Sequence, residues 1–306
     1  TMATVLKWAR DERLDENPLQ AFRERFVYIK DGDSVHDLEG FGHDKPALLK
    51  EFKNMYANVR MEIQEPRPRD GFPDRTVPKM VPVHSQWMID PERQSAHGSR
   101  YVPGGPEILT DSDGRQWINN FHLPVFANPF ETVVKSGVAE IDTECADSLL
   151  GVFFQHMEFI IPIEKEREWF YSWMAFNIQS PEKRCKVTPL LIATDHGTGR
   201  GWIVQLMNLL LGSWNCKKTK MSTLTGESGA GQFQEFMNDS LLCCIEEVRE
   251  GEKRYGVEES IRDYLTEDTL EINIKYGAKQ TKPVYTNFFL NSNRVDALKL
   301  TADDRR

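Results

Sequence analysis

From residue 187 onward, short apolar runs alternate with polar turns and longer apolar stretches. Three of the runs have the length of a strand, and they lie at 189–193, 240–245 and 288–290. The first is followed by a glycine-rich turn at 195–201 and then by a mostly apolar stretch at 202–211. Because the gaps between runs can hold helix-containing crossovers, the pattern predicts a parallel α/β sheet with flanking helices.

The pattern is different before residue 187. Apolar positions at helical spacing occur in residues 1–25 and again, over a longer stretch, in 139–180. Residues 26–130 are rich in Pro, Gly and Asp, with short strand-like runs such as Phe26–Ile29 and a predicted hairpin around 111–114. We expect an α+β region at 1–138, a helical segment at 139–186 and an α/β core at 187–306.

Composition narrows the class of protein. The 306 residues are 40% hydrophobic and 28% charged, which is typical of a globular chain. The five cysteines include no C-x-x-C pair, so neither a zinc ribbon nor a disulfide framework is indicated, and a reducing cytoplasm is expected. No apolar run reaches membrane-spanning length. The net charge is −9, and the acidic excess precedes residue 200, so any DNA binding must be local.

The turn after the first apolar run has features of a phosphate-binding loop. Its candidate residues are Gly197, Thr198, Gly199, Arg200 and Gly201. Glycines allow backbone N–H groups to surround phosphate oxygens, and a following helix N-terminus adds partial positive charge. The usual loop ends in Lys and Ser or Thr, which contact phosphate and Mg²⁺. Arg and Gly stand there instead, so a glycine turn without nucleotide is an equal alternative for this loop alone.

Polar side chains end the next two apolar runs. Glu246 and Glu247 follow the run at 240–245, and Asn291-Ser292-Asn293 follows the run at 288–290. Adjacent carboxylates after a buried strand are the Walker B arrangement, in which Glu246 would hold Mg²⁺ through water and Glu247 would activate the attacking water. Asn293 would orient that water, as a sensor residue does. The alternative is an acidic loop where a strand meets solvent.

Two basic groups lie beyond the acidic pair. A predicted hairpin around Gly277 carries Lys275, Tyr276, Lys279 and Lys282 at its tip, a combination suited to DNA phosphates and bases. An ordinary hairpin with solvated lysines is the alternative. At the end of the sequence, Arg305 and Arg306 could reach the γ-phosphate of a neighbouring subunit, or they could be a charged end without function.

The order of these elements resembles the superfamily 3 helicases, which are AAA+ proteins. More closely, residues 176–183 and the loop at 196–202 are similar to the helicase-like half of phage and plasmid primase-helicases and primase-polymerases. The resemblance implies a hexameric ring, ATP and Mg²⁺ as cofactors, and single-stranded DNA or a replication fork as partner. It also implies a primase or polymerase domain on the full-length chain, and a motor whose final segment follows Arg306.

These features favour an ATP-dependent DNA helicase or translocase acting in phage or plasmid replication, in the host cytoplasm if phage-encoded. The altered glycine loop keeps a second hypothesis open, in which the domain is a weakly hydrolysing or non-hydrolysing DNA-binding scaffold attached to a primase or polymerase. A third hypothesis is an AAA+ protein that remodels protein partners. ATP hydrolysis with and without single-stranded DNA separates the first two hypotheses.

Overall fold

The computed structural model describes residues 17–40, 46–67, 74–124, 143–193, 199–224, 235–246, 248, 257–273 and 279–294. They fall into two compact units, one within Thr1–His122 and the other within Leu123–Arg306. Among the helices in those ranges, none is both long enough and apolar enough to cross a membrane. The predicted domain limits at 138 and 186 remain predictions.

The first unit is an α+β structure. Its helices are α1 (Pro18–Arg25), α2 (Leu49–Met55) and α3 (Val83–Ile89). Its strands are β1 (Phe26–Ile29), β2 (Ser34–Asp37), β3 (Ala47–Leu48), β4 (Arg60–Pro66), β5 (Thr76–Pro82), β6 (Ser95–Ala96), β7 (Gly98–Arg100), β8 (Ile108–Thr110) and β9 (Gln116–Asn119). They form a sheet of order β3-β2-β1-β6, a sheet of order β7-β9-β8, and the hairpin β4-β5.

The hairpin predicted around residues 111–114 is present as β8 and β9. The two strands pair antiparallel, with Leu109 opposite Trp117. Asp111 accepts hydrogen bonds from the backbone N–H groups of Asp113 and Arg115, and Gly114 adopts a φ of 76°. Asp and Gly supply these local bonds and this backbone conformation readily, which explains why the turn could be predicted.

An aromatic cluster forms much of the core of the first unit. Its members, Phe22, Phe26, Phe52, Tyr56 and Trp87, are all buried. Most of the ring pairs meet edge to face, with Phe22 and Phe26 at 5.1 Å between centroids. Edge-to-face pairs of this kind stabilise the core beyond the burial of their apolar area.

The second unit contains the predicted α/β core. Its helices are α4 (Thr143–Ile160), α5 (Glu164–Gln179), α6 (Arg200–Leu211), α7 (Met221–Leu224) and α8 (Val257–Thr266), with 3₁₀ turns at Ser213–Asn215 and Glu235–Met237. Its strands are β10 (Leu190–Ile192), β11 (Cys216–Lys220), β12 (Leu242–Glu246), β13 (Thr269–Ile272), β14 (Gln280–Pro283) and β15 (Asn287–Ser292).

Four of these strands form a parallel sheet of order β10-β15-β12-β11. The three apolar runs found in the sequence are β10, β12 and β15, so the parallel sheet and its helices match the expectation. In this order β15 lies between β10 and β12. The carboxyl ends of those three strands therefore meet at one edge of the sheet, which is where open α/β sheets bind ligands.

Both faces of this sheet are covered. On one face, Cys243, Ile245, Phe288 and Leu290 belong to a buried cluster that also includes Phe236, Met237 and Ile272. On the other face, Phe289 contacts two aromatic residues of α5, with ring centroids 5.8 Å from Phe170 and 6.1 Å from Trp173. Burial on both faces explains why the apolar runs 242–245 in β12 and 288–290 in β15 show no alternation.

Candidate functional site

A pocket of about 220 Å³ opens at the carboxyl end of the parallel sheet. It is lined by Arg200, Gly201, Glu246, Asn291 and Asn293. Three separate stretches of sequence thus meet there, namely the start of α6, the end of β12 and the end of β15. These are the stretches for which the sequence predicted phosphate, metal and sensor residues. Four of the predicted site residues, Arg200, Gly201, Glu246 and Asn293, therefore line one pocket, and their roles stay predictions.

Gly199 is the residue before α6, and its backbone requires glycine. Its φ is 86°, and a Cβ atom built there would lie 3.0 Å from Nε2 of His156. The left-handed conformation and the close imidazole both disfavour any side chain. Among the described residues, no side chain caps the start of α6, although the N–H of Trp202 donates to the Gly199 carbonyl at 2.9 Å. A helix N-terminus of this kind is a possible anion site. Gly197 and Thr198 lie outside the described residues.

Arg200 is the residue that stands where the usual loop has lysine. Its guanidinium donates a hydrogen bond to the backbone carbonyl of Ser292 at the end of β15. This bond ties the start of α6 to the central strand. Arg200 lines the pocket, and part of the hydrogen-bonding capacity of its guanidinium is already used within the chain. Since a guanidinium has five N–H donors, the remaining ones can still reach a ligand.

Glu246 ends β12 and forms an ion pair with Lys218 of the neighbouring strand β11. Lys218 Nζ lies 2.7 Å from Glu246 Oε1. The hydrogen bond to this carboxylate raises the pKa of Lys218 above its ordinary value. The lysine is therefore fully charged at neutral pH and partly neutralises Glu246. Both side chains are accessible to solvent, so their attraction is modest.

Asn291 lies on β15 beside Glu246 on β12. Ile245 and Leu290 are paired in the sheet, and Glu246 and Asn291 are the next residues on the two strands. Only 7% of Asn291 is exposed. Its Nδ2 donates to Cys244 Sγ at 3.5 Å, and its Oδ1 has no hydrogen-bond partner among the described residues. Burial raises the pKa of the Cys244 thiol to about 12, so the sulfur stays protonated and uncharged.

Asn293, which the sequence assigned to the sensor role, lines the same pocket and is exposed. It follows Ser292, whose hydroxyl donates to the carbonyl of Val248 at 2.6 Å. That bond ties the end of β15 to the segment after β12. Three other predicted residues, Glu247, Arg305 and Arg306, lie outside the described residues.

The predicted DNA-binding hairpin is formed by β13 and β14, which pair antiparallel. Lys279 precedes β14, and its Nζ lies 2.8 Å from Oε1 of Glu271. Lys282 was expected at the tip, but it lies within β14 opposite Leu270 and donates to Asn238 Oδ1 at 2.9 Å. Strand pairing continues as far as Ile272 and Gln280, so Lys282 lies within the paired part of the hairpin and not at its tip. Lys275 and Tyr276 are outside the described residues.

Two residues of this region were not singled out from the sequence. Lys218 lies in Cys216–Lys220, a polar run that gave no strand signal, and its partner depends on the order of strands in the sheet. Asn291 was seen as part of a polar strand end, but the role was given to Asn293. Alternation along a strand places both asparagines on one face, which is the signal that could have drawn attention to Asn291.

The fold and the pocket define a parallel α/β unit with a polar site at the carboxyl end of its strands. Residues 191–306 match a family model described as a family of unknown function, DUF5906. Over 208 residues, 67% of this chain, the sequence is 25% identical to the DNA primase-polymerase of Nitratiruptor phage NrS-1. The match covers 26% of that protein.

Solved structures of the NrS-1 C-terminal region resemble this chain. An apo structure of residues 305–718 has a TM-score of 0.57 at 17% identity and covers 92% of this chain and 57% of that one. A second apo form gives a TM-score of 0.54 at 16% identity, with coverages of 92% and 56%. Likeness at this identity shows the fold alone. The chain spans about a quarter of the curated relative and just over half of the solved region.

Proposed function

We propose that the second unit is the nucleotide-binding motor of a phage DNA-replication protein, an AAA+ ATPase of the superfamily 3 helicase type. One observation carries the proposal. Arg200, Glu246 and Asn293, which are far apart in sequence, line one pocket at the carboxyl end of a parallel sheet. The similarity to a phage primase-polymerase supports a replication role.

The residues present fit a nucleotide with Mg²⁺. The N-terminus of α6, preceded by Gly199 with its left-handed backbone, presents N–H groups for phosphate. Glu246 and the unpartnered Oδ1 of Asn291 are oxygen donors, the type of ligand that Mg²⁺ prefers. When bound, Mg²⁺ supplies positive charge that offsets charge developing on the transferred phosphoryl group.

In this proposal each predicted residue keeps its role. Gly197, Thr198, Gly199, Arg200 and Gly201 hold phosphate, and Glu246 holds the cation through water. Glu247 accepts a proton from the attacking water, and Asn293 orients that water. Arg305 and Arg306 serve the adjacent subunit of a homo-hexamer. A primase or polymerase domain is carried on the same full-length chain, and the protein acts in the cytoplasm of the host.

The hairpin β13-β14 is the proposed contact to single-stranded DNA. Lys279 is its best described candidate, because its amine is exposed and lies near the turn. The ion pair with Glu271 is solvent-exposed and weak, so a phosphate can replace that carboxylate. We expect Lys279→Ala to weaken binding to single-stranded DNA and to reduce the slope of log affinity against log salt by about 0.7. An unchanged slope would show that Lys279 does not contact the DNA phosphates.

A second function is favoured by the start of α6. Gly201 lacks the hydroxyl that usually contacts Mg²⁺, and Arg200 is hydrogen-bonded to the carbonyl of Ser292. An ATP site altered in this way suits a scaffold that binds nucleotide and DNA with little or no hydrolysis. Such a scaffold would hold a primase or polymerase on its template.

Steady-state ATP hydrolysis, measured with and without single-stranded DNA, tests the proposal. Glu247→Gln keeps the size of the side chain and removes the base, so it is the reference for background activity. A wild-type rate well above this reference, increased by DNA, supports the motor. A wild-type rate equal to that of Glu247→Gln, with nucleotide still bound, favours the scaffold. Absence of nucleotide binding would contradict both.

A further inference from the structure

One polar atom at the pocket has no explanation within the fold. Asn291 is only 7% exposed, and its Oδ1 has no hydrogen-bond partner among the residues that the structure describes. Buried polar atoms in native proteins are nearly always hydrogen-bonded, because leaving one without a partner is destabilising. Because this exception belongs to a residue that lines the pocket, a bound ligand is a candidate for the missing partner.

The orientation of the amide fixes which atom is available. The Nδ2 group of Asn291 donates to Cys244 Sγ at 3.5 Å, which leaves the carbonyl oxygen as the unpartnered group of a residue that lines the pocket. The available group is therefore an acceptor. It suits a cation or the O–H of a bound water, and it does not suit a phosphate oxygen, which is itself an acceptor.

The position of Asn291 makes Glu246 its partner at the site. The two residues directly follow the paired residues Leu290 and Ile245 on neighbouring parallel strands. Residues in register on adjacent strands leave the sheet on the same face, with the strands roughly 5 Å apart. A carboxylate and an amide oxygen at that separation can both reach one hydrated divalent cation. An acidic residue and an asparagine hold Mg²⁺ together in protein kinases.

The glycine loop lacks the hydroxyl that usually contacts Mg²⁺, so another residue is needed to supply that oxygen. In the usual loop a Ser or Thr hydroxyl is the protein ligand that faces the carboxylate across Mg²⁺. Here Gly201 lines the pocket and has no side chain to offer. Asn291 lies on the strand between β10 and β12, and it lines the same pocket with a side chain that has a neutral, unpartnered oxygen.

We propose that Asn291 Oδ1 is a ligand of the divalent cation or of its bound water, and that it replaces the hydroxyl missing from the glycine loop. This inference rests on the proposed function, because it assigns a further residue to the same site. It separates the two asparagines at the end of β15: Asn291 positions the cation, and Asn293 acts on the water that attacks phosphate.

The test is the affinity for Mn²⁺, measured by electron paramagnetic resonance as free Mn²⁺ in a titration of the protein with saturating non-hydrolysable ATP analogue. Asn291→Leu keeps the approximate shape and removes the oxygen, and we expect Mn²⁺ affinity to fall about tenfold or more. Asn291→Asp retains an oxygen at the position and should bind Mn²⁺ at least as tightly as the wild type.

The matched control is Asn177→Leu. Asn177 in α5 is also buried, with its Oδ1 unpartnered among the described residues, and it is not among the residues lining the pocket. This variant should leave Mn²⁺ affinity unchanged, so a loss confined to Asn291→Leu cannot come from a general effect of burying leucine. Thermal melting of each variant confirms that the folded protein is compared.

Binding of the nucleotide analogue without metal distinguishes a failure of the ligand role of Asn291 from a failure of the nucleotide-binding motor assignment. If Asn291→Leu binds the analogue and retains wild-type Mn²⁺ affinity, the ligand role is wrong and the motor assignment stands. If the wild type binds neither the analogue nor Mn²⁺, both are wrong. Loss of Mn²⁺ affinity in Asn291→Leu, with metal-free analogue binding retained and restored metal binding in Asn291→Asp, supports the inference.

Discussion

The two ends of the central strand β15 each carry a buried asparagine, and the two are used differently. At the amino end, Asn287 Oδ1 accepts a hydrogen bond from the backbone N–H of Cys185 at 2.7 Å. At the carboxyl end, Asn291 Oδ1 has no partner among the described residues, and Asn291 lines the pocket. The same side chain is thus structural at one end and available to a ligand at the other.

Other polar side chains near the amino end of β15 are also hydrogen-bonded within the protein. Ser240 and Thr286 are buried there, with 2.8 Å between their hydroxyl oxygens. The Ser240 hydroxyl also donates to the carbonyl of Phe236, and the Thr286 hydroxyl lies within hydrogen-bond distance of the carbonyls of Met237 and Ser240. Arg184 crosses the same region and donates to the carbonyls of Thr286, Tyr264 and Glu267. Polar groups at this end satisfy one another. Those at the carboxyl end leave capacity for a ligand, as open α/β sheets generally do.

The largest expected effect concerns catalysis at the carboxyl end. Glu246→Gln removes the charge proposed to hold the cation, and we expect ATP hydrolysis to fall about 100-fold or more. The matched control is Glu182→Gln, since Glu182 is an exposed carboxylate that is not among the residues lining the pocket. Equal rates for the two variants would show that the carboxyl end is not the catalytic site.

The next effect is a difference in the free energy of unfolding between variants of Asn287 and Asn291. Asn287→Leu leaves the N–H of Cys185 without its acceptor, so we expect the free energy of unfolding to decrease by about 1–3 kcal/mol. Asn291→Leu removes an oxygen that has no partner among the described residues, and it should cost less than about 1 kcal/mol without ligand. Urea unfolding of both variants measures the difference. Equal losses would mean that Asn291 is as structural as Asn287.

The smallest effect concerns the ion pair at the pocket. Lys218 competes with a cation for Glu246, so Lys218→Gln should raise Mn²⁺ affinity about twofold to fivefold, the range expected for an exposed pair. Because the carboxylate raises the pKa of Lys218, the competing charge is present at pH 7 and is lost only at strongly alkaline pH. Lys217→Gln is the control, since adjacent strand residues face opposite sides. Equal Mn²⁺ affinities in the two variants would show that Lys218 does not compete with the cation for Glu246.

Much of the second unit could be predicted from the sequence. The runs that became β12 and β15 are apolar throughout because both faces of the sheet are covered, and polar residues mark where each ends. Once those strands are taken as parallel, the meeting of Glu246 and Asn293 at one edge follows. Gly199 and the apolar stretch after it likewise indicated the turn and the helix.

Other features depend on information that local patterns do not contain. Strand β11 is a polar edge strand, so its sequence carries little strand signal, and the contact of Lys218 with Glu246 requires its place beside β12. The burial of Asn291 depends on having β10 and β12 on either side of β15. The position of Lys282 depends on how far pairing extends along the hairpin.

The central claim is that nucleotide and cation bind at the carboxyl end of the sheet. A crystal structure with a non-hydrolysable ATP analogue and Mn²⁺ tests it most directly, because Mn²⁺ is located by its anomalous scattering. The account predicts a peak between Glu246 and Asn291, with phosphates against the first turn of α6. A nucleotide bound with its metal anywhere else on the chain would contradict it.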